Sequence, residues 1–329
     1  MSSLASPEFA PEIKRPRQRP GPRTRLNKFD LRANRALKWL ALGAGVLLFF
    51  VLIAIAYQVI SGASPAINRY GLGFLGHKWN ASANQYGAVE LIFGTLVIGV
   101  GSVILATALG VAIGLFLSLM APRQLAAIVG PLIEMLAAIP SVVLGLIGIY
   151  LICPFLAADV EPALHSAFGF IPIFAEPQPV GNSLFAAILV LTIMVLPIVA
   201  ALSRDVFLTV PSELRDGAEA LGATRWEMIR GVVIPTTYSG VIAACMLGFG
   251  RATGEAIAVA QVIGGTPRIT SHLFLGSDAL APLLAVQYPT PISAMQTASM
   301  FYLALILLVL GLATNLTAQS IARRHGGGR

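Results

Sequence analysis

The sequence predicts an all-α, polytopic membrane protein of six transmembrane helices with a helical loop on its cytoplasmic side. Three observations carry that expectation. Of 329 residues, 56% are hydrophobic and 11% charged, against roughly a quarter charged in a soluble domain. The apolar residues gather into long runs, and about 20 such residues suffice to cross a hydrocarbon core of roughly 30 Å. Positive charge is uneven: ten of the 22 lysines and arginines lie between Lys14 and Lys38, opposed there only by Asp30.

Residues 1–35 are rich in Pro, Arg and Ser, so a disordered basic tail is expected. Its charge fits a cytoplasmic flank that touches anionic lipid, and no nucleic-acid partner is expected despite the net charge of +7. The first span, Ala36–Ile60, follows too long and too charged a segment for a secretory leader, so it should be retained. The other spans are expected at Val89–Met120, Leu125–Pro154, Ser183–Ser203, Tyr238–Ile263 and Ala298–Ile321. A membrane domain thus covers 36–321, with a short tail at 322–329.

Loop charge sets the orientation. The 155–182 connection has no Lys or Arg, whereas 204–230 carries Arg204, Arg215, Arg225 and Arg230 and the C-terminal tail carries Arg323, Arg324 and Arg329. Both termini are therefore expected in the cytoplasm of a bacterial inner-membrane protein. In the first outer loop Tyr70, Trp79 and Tyr86 suit a membrane interface. In the second, Pro162, Pro172, Pro177 and Pro179 favour a stiff surface segment over a helix. Either loop can meet an external partner or act as spacer. Cys153 and Cys245 sit in apolar runs and read as small buried hydrophobes, not metal ligands.

The cytoplasmic stretch from Val210 to Pro235 is the most informative. Pro211 suits a first helical turn. Leu214, Ala218 and Leu221 follow at i, i+4 and i+7, one narrow apolar face. Gly222 can take the left-handed conformation that ends a helix, and Thr224 with Glu227 forms a capping box for a second one. Two short helices joined by a bend are predicted, suited to dock in a groove of another protein.

Asp216-Gly217-Ala218, Gly222 and Val232-Val233-Ile234-Pro235 resemble the EAA loop of binding-protein-dependent ABC-importer permeases, with Asp for the usual Glu and Gly for an Ala. The resemblance implies the type I importer permease fold and a loop, carried by Asp216, Gly217, Ala218, Gly222, Ala223 and Pro235, that couples to a cytoplasmic ATPase. The chain has no phosphate-binding P-loop of its own, because none of Lys14, Lys28, Lys38 and Lys78 follows a glycine. No catalysis and no cofactor are expected in this chain; ATP and magnesium belong to the partner ATPase.

Within the fifth span, Arg251 and Glu255 are one turn apart on one face. Such charges cost at least about 2.5 kcal/mol each at a bilayer centre. They either neutralise each other and fix packing, or form a substrate path in which Arg251 attracts an anion and Glu255 orients it. Glu134 is a further candidate partner for Arg251, with a cytoplasm-proximal ion pair as the alternative. Gly250 and Gly254 form a G-x-x-x-G pair expected to admit a neighbouring helix, and Pro140 is expected to kink the third span.

The segment from Gly250 to Val259, with Tyr86-Gly-Ala-Val, Phe93-Gly-Thr-Leu, Ala137-Ala-Ile-Pro-Ser141 and Arg204-Asp-Val206, is similar to phosphate-import permeases of the PstC type over roughly residues 38–320. That resemblance implies phosphate import by alternating access beside a PstA-type second permease, two copies of a P-loop ATPase and an extracytoplasmic phosphate-binding protein. Thr253 and Ala256 depart from the family's Leu and Thr. The alternatives are a permease for another oxyanion, the sister subunit, or a proton-coupled secondary transporter; the last leaves the loop unexplained.

Overall fold

The computed structural model describes residues 28–174 and 176–326; residues 1–27, most of the expected tail, lie outside the described residues. Among the described residues there is no strand, only isolated bridges at Asn80–Gln85 and Gly264–Ser277. Among the described residues six helices are long and apolar enough to cross a membrane. The chain divides into two units, residues 1–56 and 57–329. The first holds the N-terminal part of α1 (Lys28–Tyr70). This helix starts eight residues before the expected Ala36.

In the second unit, α2 (Val89–Met120) lies against α5 (Leu184–Leu208), the most buried span. Small residues make this approach possible: Cβ atoms on Gly110 and Gly114 would touch Val199, Ala200, Ser203 and Arg204 at 3.0–3.2 Å. Ile98, Leu191, Val195 and Val199 fill the seam.

The third crossing departs from expectation. Pro140 does more than kink it. One helix, α3 (Arg123–Ala137), ends before it, and a second, α4 (Ser141–Phe168), starts after it. The long apolar crossing is therefore Ser141–Phe168 rather than Leu125–Pro154. It continues through Pro162, where a stiff non-helical segment was expected. A wide turn at Leu156–Val160 precedes that proline, which falls in the first turn of the next helical stretch, where a missing N–H is tolerated.

After α5 come α6 (Ser212–Ala220) and α7 (Arg225–Gly254). Pro235 is absorbed in the same way, behind a wide turn at Ile229–Val233. The fifth crossing does not run on to Ile263. It breaks at Glu255, whose backbone is extended (φ −74°, ψ 126°), and resumes as α8 (Ile257–Val262). The following segment folds back: Ser277 N–H donates to Ile263 O (2.9 Å), and Leu280 N–H to Thr95 Oγ1 (3.0 Å). Asp278 is buried there, and burial pushes its carboxyl up to about 6. Helices α9 (Leu280–Gln287) and α10 (Ala294–Gly326) complete the chain, so much of the expected C-terminal tail is helical.

Helix α6 marks one end of the bundle, the loop end. At the opposite end Trp79 and Tyr86 are 6% and 1% exposed, so they are core rings and not interfacial ones. The Trp79 indole N–H donates to Gln287 Oε1 (3.2 Å), and Tyr86 shares a 3.1 Å hydrogen bond with Ser293. Phe74 stacks on Tyr302 with centroids 4.4 Å apart.

A Cβ at Gly94 would overlap the carbonyl oxygen of Asp278. Gly94→Ala should therefore destabilise the protein by about 1–3 kcal/mol. Thermal unfolding of the purified protein in detergent checks this as a lowered midpoint.

Candidate functional site: the loop and the cavity

The loop end forms as its residues dictate. Gly222 has φ +87°; its N–H donates to Glu219 O (2.9 Å) and that of Ala223 to Ala218 O (3.1 Å), the paired closure that a left-handed glycine permits. The Thr224 N–H donates to Glu227 Oε2 (2.8 Å), and Glu227 N–H donates back to Thr224 Oγ1 (3.3 Å). A stop and a start are thus locked two residues apart.

The apolar face divides. Ala218 packs onto a buried cluster of Phe207, Val210, Met228, Ile229 and Val233, backed by Val111 and Leu115 of α2. Leu214, Leu221 and Trp226 remain 47%, 91% and 63% exposed. Asp216 and Gly217 are exposed too, and a side chain at Gly217 would meet nothing within 4 Å. One side of α6 is tied to three spans while the other is free.

The second feature lies at the far end of α7. The break after Gly254 takes Glu255 out of helical register, and its carboxylate turns to accept the Ala258 N–H (3.3 Å) at the start of α8. Arg251 and Glu255 therefore form no ion pair; among the described residues the ion pair present is Arg204–Glu134, 3.7 Å. Of the two arrangements open to this pair, mutual neutralisation is not the one adopted. Glu134 is likewise not with Arg251. It sits on α3 against Arg204, so of its two readings the structure has the ion pair, and it does not line the cavity beside Arg251.

Arg251 is exposed and faces a cavity of about 850 Å³. Gly250, Gly254 and Glu255 share its wall with Ala243, Met246 and Leu247 of α7. A Cβ on Gly250 or Gly254 would meet nothing within 4 Å, so the packing expected of that pair is not made within this chain. Instead these glycines hold the cavity open beside the guanidinium. Its other wall is α10, through Gly311, Thr314, Asn315 and Gln319. Sequence reasoning missed these residues. Their signal was present as a polar face at i, i+3, i+4 and i+8 in an apolar span. Gly254 also borders a second cavity of about 480 Å³ on the side of the opposite end, lined almost wholly by apolar groups including Ala256, Leu284, Phe301 and Leu307.

A family model described as binding-protein-dependent transport system inner membrane component matches residues 110–325, which include the loop, the break and the cavity. The chain is 36% identical over 272 residues to the phosphate transport system permease protein PstC of Mesorhizobium japonicum, covering 81% of this chain and 83% of that protein. It is 38% identical over 269 residues to the protein of the same name in Pasteurella multocida, with 80% and 84% covered. Among solved structures, a bacterial alginate ABC transporter complexed with its pentasaccharide-bound periplasmic protein matches with a TM-score of 0.58 at 14% identity. It covers 89% of this chain and 96% of that one, and the likeness is one of fold.

If the cap holds the bend, Thr224→Ala should cost the second helix about 1 kcal/mol. Amide exchange at Glu227 and Met228 should quicken accordingly, while amides at the opposite end keep their protection.

Proposed function

Since the chain belongs to the family of binding-protein-dependent transport system inner membrane components, we propose that it is the permease subunit of an ATP-driven phosphate importer that works by alternating access. The observation that carries this is Arg251, a guanidinium without an ion-pair partner among the described residues, at the break of a membrane-spanning helix and on the wall of a large cavity.

Phosphate presents several oxygens with one or two negative charges. A planar guanidinium binds such a group through paired, charge-assisted hydrogen bonds. Because Glu255 caps α8, it tempers the positive field without cancelling it, so the anion is attracted but not trapped. Toward the loop end the cavity wall carries Arg251, Glu255, Thr314, Asn315 and Gln319 among apolar groups; beyond Gly254 the lining is almost wholly apolar and, among the described residues, holds no charged side chain. In this reading the helix break is the gate between an inner vestibule that offers an anion charged and amide groups and an outer one that is almost wholly apolar.

In this reading the loop end faces the cytoplasm of an inner-membrane protein, as do both termini, and the exposed side of α6 enters a cleft of the ATPase. Two ATPase copies bind ATP and magnesium, a PstA-type permease supplies the other wall of the pathway, and a phosphate-binding protein docks on the opposite end. Nucleotide-driven closure moves α6, and its tie to α7 carries the movement to the gate. The chain itself makes and breaks no bond in its substrate.

In proteoliposomes containing the complete complex, Arg251→Ala should lower phosphate uptake by roughly 10- to 100-fold, the worth of charge-assisted hydrogen bonds, while subunits still co-purify. Unchanged uptake removes Arg251 from the pathway. Gly222→Val places a β-branched residue at φ +87° and should abolish the stimulation of ATP hydrolysis by the loaded binding protein. Retained stimulation removes the bend from coupling.

A further inference from the structure

We propose that Asn315 and Gln319 are specificity-determining residues that favour an oxyanion still carrying a proton over one that carries none; this rests on Arg251 lying on the anion's route. The two amides line the same cavity as Arg251 and Glu255. They are one helical turn apart and, with Gly311 and Thr314, form the polar face of α10. Their neighbours Leu312 and Leu316 are exposed hydrophobics that do not line this cavity. Asn315 lies inside the last candidate span, Ala294–Thr317, and Gln319 just past its end; a carboxamide in a membrane span is stable only where water, a ligand or another polar group meets it.

The hydrogen bonds within α10 leave a definite set of free groups. The Thr314 hydroxyl donates to the Leu310 and Gly311 carbonyls at 3.0 and 2.9 Å, so its oxygen remains an acceptor. The Gln319 Nε2 donates to Asn315 Oδ1 at 3.5 Å, which links the amides and leaves Asn315 Nδ2 a donor and Gln319 Oε1 an acceptor. An arginine can only donate. Opposite it, α10 therefore supplies both one more donor for an anion's oxygens and neutral acceptors for its O–H.

Inorganic phosphate near neutral pH has such an O–H; sulfate, of the same shape, has none. A site that provides an acceptor penalises the analogue that cannot donate to it, because the acceptor is then left unpaired. Neutral amides do this without the repulsion that a second carboxylate would add.

The test uses the reconstituted complex with Met246→Cys as a reporter in the cavity wall and Cys245→Ser to remove the half-buried native thiol; Cys153 is fully buried. The rate of reaction with an anionic thiosulfonate is followed against inorganic phosphate and sulfate. Phosphate should protect at about tenfold lower concentration than sulfate, the worth of one net hydrogen bond. Asn315→Leu and Gln319→Leu should bring the two anions within about twofold of each other, and Leu312→Ala should change nothing. If both amide variants keep the preference for phosphate, or both fail to assemble, the amides serve packing and the proposal is overturned. If Arg251→Ala leaves both anions protecting, or neither protects in the unsubstituted reporter background, the anion site is misplaced and the functional reading falls too.

Discussion

A guanidinium with no ion-pair partner among the described residues and an interrupted helix are both out of place in hydrocarbon, and this protein puts them side by side. A lone charge at a bilayer centre costs at least about 2.5 kcal/mol, and a broken helix frees backbone groups that lipid cannot satisfy. Each is tolerable only beside water or a polar surface. The cavity along α7 and α10 meets that condition: Gly250 and Gly254 leave it open, and Thr314, Asn315 and Gln319 make its far wall polar. Remove the cavity, and neither Arg251 nor the break at Glu255 has a physical reason to persist.

The same helix joins that site to the loop. Helix α7 runs for 30 residues from Arg225 to Gly254, about 45 Å at the usual rise. Its first turn is locked to α6 by the Thr224–Glu227 cap and by Ala218 in the shared cluster. A displacement of α6 is therefore delivered to the base of α7 before it can dissipate in a flexible linker. Interfaces packed in this way shift between discrete arrangements more readily than they deform. The break at Glu255 is where such a shift has somewhere to act.

Much of this was legible in advance because it rests on local chemistry. The bend at Gly222 and the Thr224 cap follow from single residues and short spacings, and α2 spans Val89–Met120 as its apolar run requires. Apolar runs alone do not say where a helix is interrupted inside the membrane. The sequence Thr253-Gly-Glu-Ala-Ile has no proline to announce a break, and the departure shows only once Glu255 is seen capping α8. Pro162 misled in the other direction, because it follows a wide turn that removes the clash it would otherwise cause, as Pro235 does. For Glu134 an ion pair was one of two readings, but its partner Arg204 was not legible, being far away in sequence. The amides of α10 carry a legible helical spacing, but only the fold places that face opposite Arg251.

The claim that joins loop and cavity is that force from a separate nucleotide-hydrolysing subunit moves an anion past this constriction. Labelled phosphate accumulation in proteoliposomes, compared between the complete complex with ATP and the permease subunits without the ATPase, tests it most directly. Accumulation only in the complete complex is the predicted result. Equal accumulation by the permease subunits alone would contradict it.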